Sequence, residues 1–538
     1  MKNSKVETKD IEALYNKGLE LFKAGKCNDA LKCFDEVLSN SPNHIDAINN
    51  KGLILYKSKK HEEAIALFKQ ATNLNPDFSL AWNNMGRVFY SKHDYEKAME
   101  AFDEALKINN KDSYAWNYKG LVFYDKCEYD NALEAFEKCT KFNPNNAEAW
   151  DRKGRAYFFS NKPEEAIKAY DEAIKLDPKR VKYLNYKAYV FLSKSELEKA
   201  KEIFNEALSK CEEQIKKEQK SFEVWYQKGF SLLFLEKHKE ALEAFEEAIK
   251  LDSDYSLAWN NMGRVFYSKH DYEKAMEAFD KALKINNKDS YAWNYKGLVF
   301  YDKCEYDNAL EAFEKCTKFN PNNAEAWDRK GRAYFFSNKP EEAIKAYDEA
   351  IKLDPKRVKY LNYKAYVFLS KSELEKAKEI FNEALSKCEE QIKKEQKSFE
   401  VWYQKGFSLL FLEKHKEALE AFEEAIKLDS KSPDAWNNKG NALYYLEEYE
   451  GAIDAYSEAL KHKSGVKIKD NIGCSLSKLG KHEEAIQIYD EVLKEDPGFF
   501  DALNNKSFDL YSIKKYDDAL ELIEKAIKAN PKSAEAWN

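Results

Sequence analysis

AEAWDRKGRAYFFSNKPEEAIKAYDEAIKLDPKR, residues 147–180, decides the fold. Two small residues, Gly154 and Ala166, sit on two successive amphipathic stretches, where a missing side chain lets helix backbones approach closely. Trp150 and Tyr170 supply large rings to fill the space around such a contact. Pro178 cannot continue a helix and pushes its predecessor out of the α region, so the second helix ends just before it.

The same pattern recurs outward in both directions. Trp82, Trp116 and Trp150 are 34 residues apart, as are Trp225, Trp259, Trp293 and Trp327. With each Trp taken as the fourth position, fifteen repeats run from Ile11 to Ser533, and every one carries Ala at its twentieth position, from Ala30 to Ala519. Twelve of seventeen Gly fall on position eight and eight of eleven Pro on position thirty-two. Position twenty-four is aromatic from Phe34 to Tyr489, with Ile523 as the exception. The spacing predicts helical hairpins whose position-four Trp and position-twenty-four ring fill the hollow toward the next hairpin, with stability shared between neighbours along one dimension.

This pattern closely resembles the tetratricopeptide repeat over nearly the whole chain. The resemblance implies an all-α, right-handed superhelical solenoid of antiparallel helix pairs, whose first (A) helices line a concave groove that receives a peptide or another protein. The richness in Lys and Asn is also similar to that of such proteins from methanogenic archaea.

The organisation expected is a tail at 1–10, repeats one and two at 11–78, repeats three to seven at 79–255, repeats eight to twelve at 256–432, repeats thirteen to fifteen at 433–533, and the start of a sixteenth at 534–538. Residues 79–253 and 256–430 match at 174 of 175 positions, Glu104 against Lys281 being the difference. Selection for the fold fixes only a few positions per repeat, so this identity points to a recent duplication or to an engineered gene assembled from a natural fragment; the stop at Asn538 favours assembly. Repeats six and eleven have 41 residues, the extra seven lying in KCEEQIKKEQK; that is nearly two helical turns, so a longer charged second (B) helix is expected. Repeat thirteen is one residue short near His462–Gly465 and repeat fourteen has Lys469 in the Trp position, so packing should be weakest there.

Composition excludes several classes. Charged residues reach 34% and aromatics 14%, and 88 basic against 95 acidic residues give a net charge of −7, which argues against a polyanion partner. No apolar run is long enough to cross a membrane, so no membrane partner is expected. Nine Cys, an odd number without a CxxC pair, suggest a reducing cytoplasm. His61-Glu62-Glu63 and His482-Glu483-Glu484 lack the second His of a zinc helix, and no phosphate loop, dinucleotide turn or nucleophile elbow is present. Neither cofactor nor metal is expected, and the reading is non-enzymatic.

Family geometry puts positions 2, 5, 9, 12 and 13 of helix A on the groove wall. The candidates are Asn83, Arg87, Tyr90, Asn117, Tyr124, Arg155, Phe158, Asn185, Tyr189, Tyr226 and Phe230 in the first copy, Asn260, Arg264, Tyr267, Asn294, Tyr301, Arg332, Phe335 and Asn362 in the second, and Asn437 and Tyr444 beyond it. Asn amides suit the backbone of an extended peptide and rings offer apolar platforms. A chaperone-type carboxylate clamp is absent, since position five holds Tyr, Asn or Asp. Position six is Asn in Asn16, Asn50, Asn84, Asn261, Asn438, Asn471 and Asn505, which resembles the asparagine ladder of O-linked N-acetylglucosamine transferases, but Tyr118, Arg152, Tyr186 and Gln227 interrupt it. Arg87, Arg155, Arg264 and Arg332 beside aromatics could stack bases of single-stranded RNA, a reading that the net acidity opposes. The leading expectation is a scaffold that binds an extended peptide or helix, with two nearly identical sites from the duplicated block. The alternative is an engineered or structural solenoid that has no ligand and associates end to end through Leu520, Ile523, Ala526 and Ile527, only partly covered by Trp537.

Overall fold

The computed structural model describes residues 8–194, 196–217, 221–394 and 398–529. Thirty helices and no strand occur among them. Most of the tail, the ends of KCEEQIKKEQK in both long repeats, and Trp537 with the rest of 530–538 lie outside the described residues. The chain divides into two compact bodies, Met1–Val299 with Phe319–Pro321 and Phe300–Lys318 with Asn322–Asn538.

Each repeat is an antiparallel hairpin, as in Ser79–Ser91 with Tyr95–Ile108. The glycine at position eight explains how close the two helices come. A Cβ on Gly120 would stand 2.5 Å from the Phe136 ring, and one on Gly154 2.9 Å from Tyr170. The position-twenty-four ring therefore lies on the glycine of its own hairpin. It also reaches the next one, as where Phe102 stacks on Tyr118 at 5.7 Å.

The tryptophans differ from expectation. They are only half-buried, because the indole N–H needs an acceptor, which it finds six residues back in the incoming loop: Trp82 donates to the Pro76 carbonyl at 3.0 Å and Trp150 to that of Pro144 at 2.9 Å. Trp is thus a clasp on the connection between repeats. In the repeats of ordinary length helix B ends at the same place with or without proline. Tyr95–Ile108 stops where Asn109 takes over, its side chain accepting from the Lys111 N–H at 3.1 Å.

The turn from helix A to helix B uses a left-handed residue at position fifteen, such as His93 at φ 57° and Cys127 at φ 60°. The His93 N–H bonds the Tyr90 carbonyl and the Asp94 N–H that of Phe89, which closes the helix end. In repeats six and eleven helix B runs to 21 residues, Leu197–Lys217 and Leu374–Lys394, against the usual 14.

Helix A of one repeat touches helix A of the next, as Ser79–Ser91 touches Ser113–Asp125 and Val181–Ser193 touches Phe222–Phe234. Among the described residues the B helices make no comparable contact with one another. Within each body the A helices therefore lie on the shorter, inner side.

Candidate functional site on the inner face

Close approach of successive A helices produces a rung of hydrogen bonds. The side chain at position six of one repeat bonds to position five of the repeat before it: Asn50 Nδ2 donates to Tyr15 Oη at 3.0 Å, Asn84 Nδ2 to Asn49 Oδ1 at 2.9 Å, and Arg152 Nη1 to Asn117 Oδ1 at 2.7 Å. Asn261 meets Tyr226 and Asn438 meets Tyr403 in the same way, both at 3.0 Å. The sixth-position asparagines are thus spent on the solenoid itself.

This use of position five changes the candidate wall. Asn185 is fully buried: its amide donates to the Gln227 carbonyl and to Gln227 Oε1, and its oxygen accepts from Ser231 Oγ at 2.7 Å. Asn362 repeats the network with Gln404 and Ser408. Asn83 is buried and donates to Asp112 Oδ2, while Asn117, Asn260 and Asn294 are buried as well. Tyr226 and Phe230 lie in a buried cluster with Phe245 and Phe204. None of these offers an open polar edge to a peptide. Asn437 is half-buried and accepts from Asn471 Nδ2 at 3.3 Å.

The position-nine arginines form a second pattern. Arg87 is sandwiched between Tyr56 and Tyr118, 5.5 Å from each ring centre, and Arg264 between Phe234 and Tyr295 at 5.3 Å from each. Arg155 lies between Tyr124 and Tyr186, at 5.7 and 5.8 Å, and Arg332 between Tyr301 and Tyr363, both at 5.8 Å. Each guanidinium thus bridges three A helices. Two of them also face a buried acid four residues earlier: Arg155 is 3.4 Å from Asp151, and Arg332 is 3.3 Å from Asp328. Lys182 and Lys359 approach the same acids from the following repeat at 3.2 and 3.3 Å. Burial opposes the charge on Arg155, but Asp151 and the neighbouring phenols outweigh it and hold the guanidinium protonated. These arginines already stack on protein rings, which removes them as free platforms for bases.

The position-twelve rings are half-buried, except Tyr511, which is exposed. Tyr90 donates to Asp125 Oδ2 at 2.7 Å, Tyr124 packs edge-on against Tyr129, and Tyr267 packs edge-on against Tyr295. Phe158 lies 5.5 Å from Tyr189 and Phe335 5.7 Å from Tyr366, while Tyr444 lies 5.5 Å from Tyr449. What remains open is a set of exposed rings at positions two, nine and thirteen: Tyr114, Phe159, Tyr189, Tyr291, Phe336, Tyr366, Tyr445 and Phe508. Spacings of seven and four put these positions on one helical face. Of them only Tyr189 is among the sequence candidates; positions two, nine and thirteen all belonged to the family wall, and a search for rings there finds the rest.

Cys127 Sγ donates to Asn320 Oδ1 at 3.2 Å across 193 residues, so two walls of the same chain touch at this edge. Burial pushes the Cys139 thiol to about 11 and those of Cys211 and Cys388 to about 12, so these cysteines are inert packing residues at neutral pH. Among the described residues no helix is long and apolar enough to cross a membrane.

A solenoid of helical hairpins, with small residues at the crossing and an aromatic inner face, defines a class of repeat proteins. The chain belongs to the tetratricopeptide repeat family: sequence models of that repeat match residues 15–77, 55–121, 113–146, 147–180, 222–255, 256–289, 290–323, 324–357, 403–465 and 476–538. The matches pass over the two long repeats at 181–221 and 358–402. No curated protein matches the chain. Among solved structures, the crystal structure of the APC/C hetero-tetramer Cut9-Hcn1 is similar with a TM-score of 0.56 at 14% identity, covering 98% of this chain and 95% of that one. Yeast Tom70 gives a TM-score of 0.41 at 19% identity, covering 88% and 96%.

Proposed function

We propose that the protein is a non-enzymatic, cytoplasmic interaction scaffold that holds an extended peptide of a partner protein against its inner face. The observation that carries this reading is the set of exposed rings at positions two, nine and thirteen, on a face whose position-six asparagines and position-nine guanidinium groups engage the neighbouring repeats. Exposed rings lose little entropy on binding and bury large apolar area, the usual character of an interface anchor.

The duplicated block presents Tyr189 and Tyr366 in equivalent places, but their downstream neighbours differ. Arg264, Tyr291 and Tyr295 come after the first copy's ring; Asn441, Lys467 and Asn471 hold the equivalent repeat positions after the second, repeat thirteen being one residue short. The two sites should accordingly have unequal affinity.

A displayed library of random peptides selected on the full chain tests the reading. Recovered peptides should bind at least tenfold more weakly to a chain carrying Tyr189→Ala and Tyr366→Ala. Unchanged binding to that double variant would sink the proposal, as would salt-sensitive retention on single-stranded RNA with no peptide recovered.

A further inference from the structure

The fold shows twice how it accommodates a guanidinium. In repeats five and ten a buried acid at position five faces an arginine at position nine, beside the position-twelve ring of the preceding repeat: Asp151, Arg155 and Tyr124, then Asp328, Arg332 and Tyr301. Repeat fourteen keeps two parts of this arrangement and lacks the third. Asp470 occupies position five and is 2% exposed, and Tyr444 supplies the preceding ring, but position nine is Cys474. The place of the missing guanidinium is a hollow of about 190 Å³ lined by Asp470, Cys474, Tyr444, Asn471, Asp501 and Asn505, among others. It lies wholly within the second body.

Acceptors dominate this hollow. Asp470 Oδ1 accepts from Asn505 Nδ2 at 3.2 Å, while its Oδ2 meets only the Lys467 ammonium, at 3.6 Å. Asp501 takes Lys467 at 2.5 Å. The amide N–H groups of Asn471 are directed at Asn437 and Asn441, and that of Asn505 at Asp470 and Cys474, which leaves their carbonyl oxygens open. Two carboxylates against one ammonium leave a net negative charge. A planar cation with five donors and no acceptor matches that inventory better than an anion or a neutral amide.

We infer that the hollow between repeats thirteen and fifteen receives the guanidinium of an arginine side chain from a bound peptide, which takes the place that Arg155 and Arg332 fill from within the chain. This rests on the peptide-scaffold reading for the source of the arginine, but the hollow can be tested without it. The probe is N-acetyl-arginine-methylamide on the full chain, read by saturation-transfer NMR against the citrulline analogue, which has the same shape and no charge.

Transfer is expected to the arginine probe and not to citrulline. It should fall at least fivefold in Asp470→Asn and in Cys474→Arg, the second of which supplies the missing guanidinium from within and should also raise the melting temperature. No transfer to the arginine probe, equal transfer to citrulline, or full transfer in a folded Cys474→Arg chain would each overturn the inference. If the probe binds as expected but library peptides bind without arginine and ignore Asp470→Asn, the hollow stands as a cation site and the peptide's use of it fails.

Discussion

Lys281 holds its ammonium 4.4 Å from the centre of the Trp259 ring. The two 175-residue copies differ only here, and Glu104, the counterpart of Lys281, pairs with Lys107 at 2.5 Å. Lys138 makes the same contact with Trp116 at 4.2 Å, so the position-twenty-six lysine is a recurrent cover for the clasping indole. Cation–π contacts at exposed sites contribute about 0.5–1 kcal/mol. Glu104→Lys should therefore stabilise the chain by about that amount, and Lys281→Glu should have the reverse effect, measured as shifts in urea denaturation. Persistence of both shifts at high salt, where net-charge effects are screened, would show that the ring contact is responsible; their disappearance would assign them to charge.

Two glycines should respond to alanine in opposite directions. Gly120→Ala drives a Cβ to 2.5 Å from a buried Phe136 ring that has no room to retreat, so it should destabilise by about 1–3 kcal/mol. Gly451 lies in the helix Tyr449–His462, where a Cβ would meet Leu443 at an ordinary 3.6 Å. Gly451→Ala should stabilise by about 0.5–1 kcal/mol through reduced freedom of the unfolded chain. Denaturant melts of both variants decide.

Asn185→Ala strips Gln227 and Ser231 of partners in a fully buried network and should destabilise by about 1–3 kcal/mol. Binding of peptides recovered on the parent chain should be unchanged at temperatures where the variant stays folded. Loss of binding with intact fold would return Asn185 to the wall.

Burial raises the Asp470 carboxyl above its usual range, with Lys467 and Asn505 only partly opposing. A carboxyl raised in the folded state favours folding below the unfolded value, near 3.9, and loses that contribution as pH rises through the folded value. Asp470→Asn should therefore match the parent near pH 3, become more stable than it as pH rises above the unfolded value, and hold that advantage once pH passes the folded value. A gap that shrinks with rising pH would mean that Lys467 outweighs the burial.

The repeat was legible because its positions are fixed by contacts within one period: Gly120 against Phe136 and Ala at position twenty recur wherever a hairpin closes. The inner wall was less so. Asn185 and Asn362 have the right spacing for a groove and the right chemistry for a peptide, but the same chemistry serves the neighbouring helix, and a single sequence does not say how near that helix comes. Trp82 misled in the other direction. Its size suggested a core filler, while its one N–H required a carbonyl, which sits at the edge of the core. The arginine sandwiches needed three consecutive A helices to be seen together, since Tyr124, Arg155 and Tyr186 are 31 residues apart in each step.

The indole clasps give the molecule a built-in optical scale. An emitter at nearly every connection, from Trp82 to Trp436, sits against a loop carbonyl and, in several repeats, beneath a lysine, so loosening of any one junction should alter emission locally. Repeats fourteen and fifteen carry Lys469 and Leu503 at that position and are dark. Events around Asp470 will therefore reach the tryptophan spectrum only through Trp436, which packs in the same cluster as Ile472 and Leu476, and will register chiefly in tyrosine absorbance.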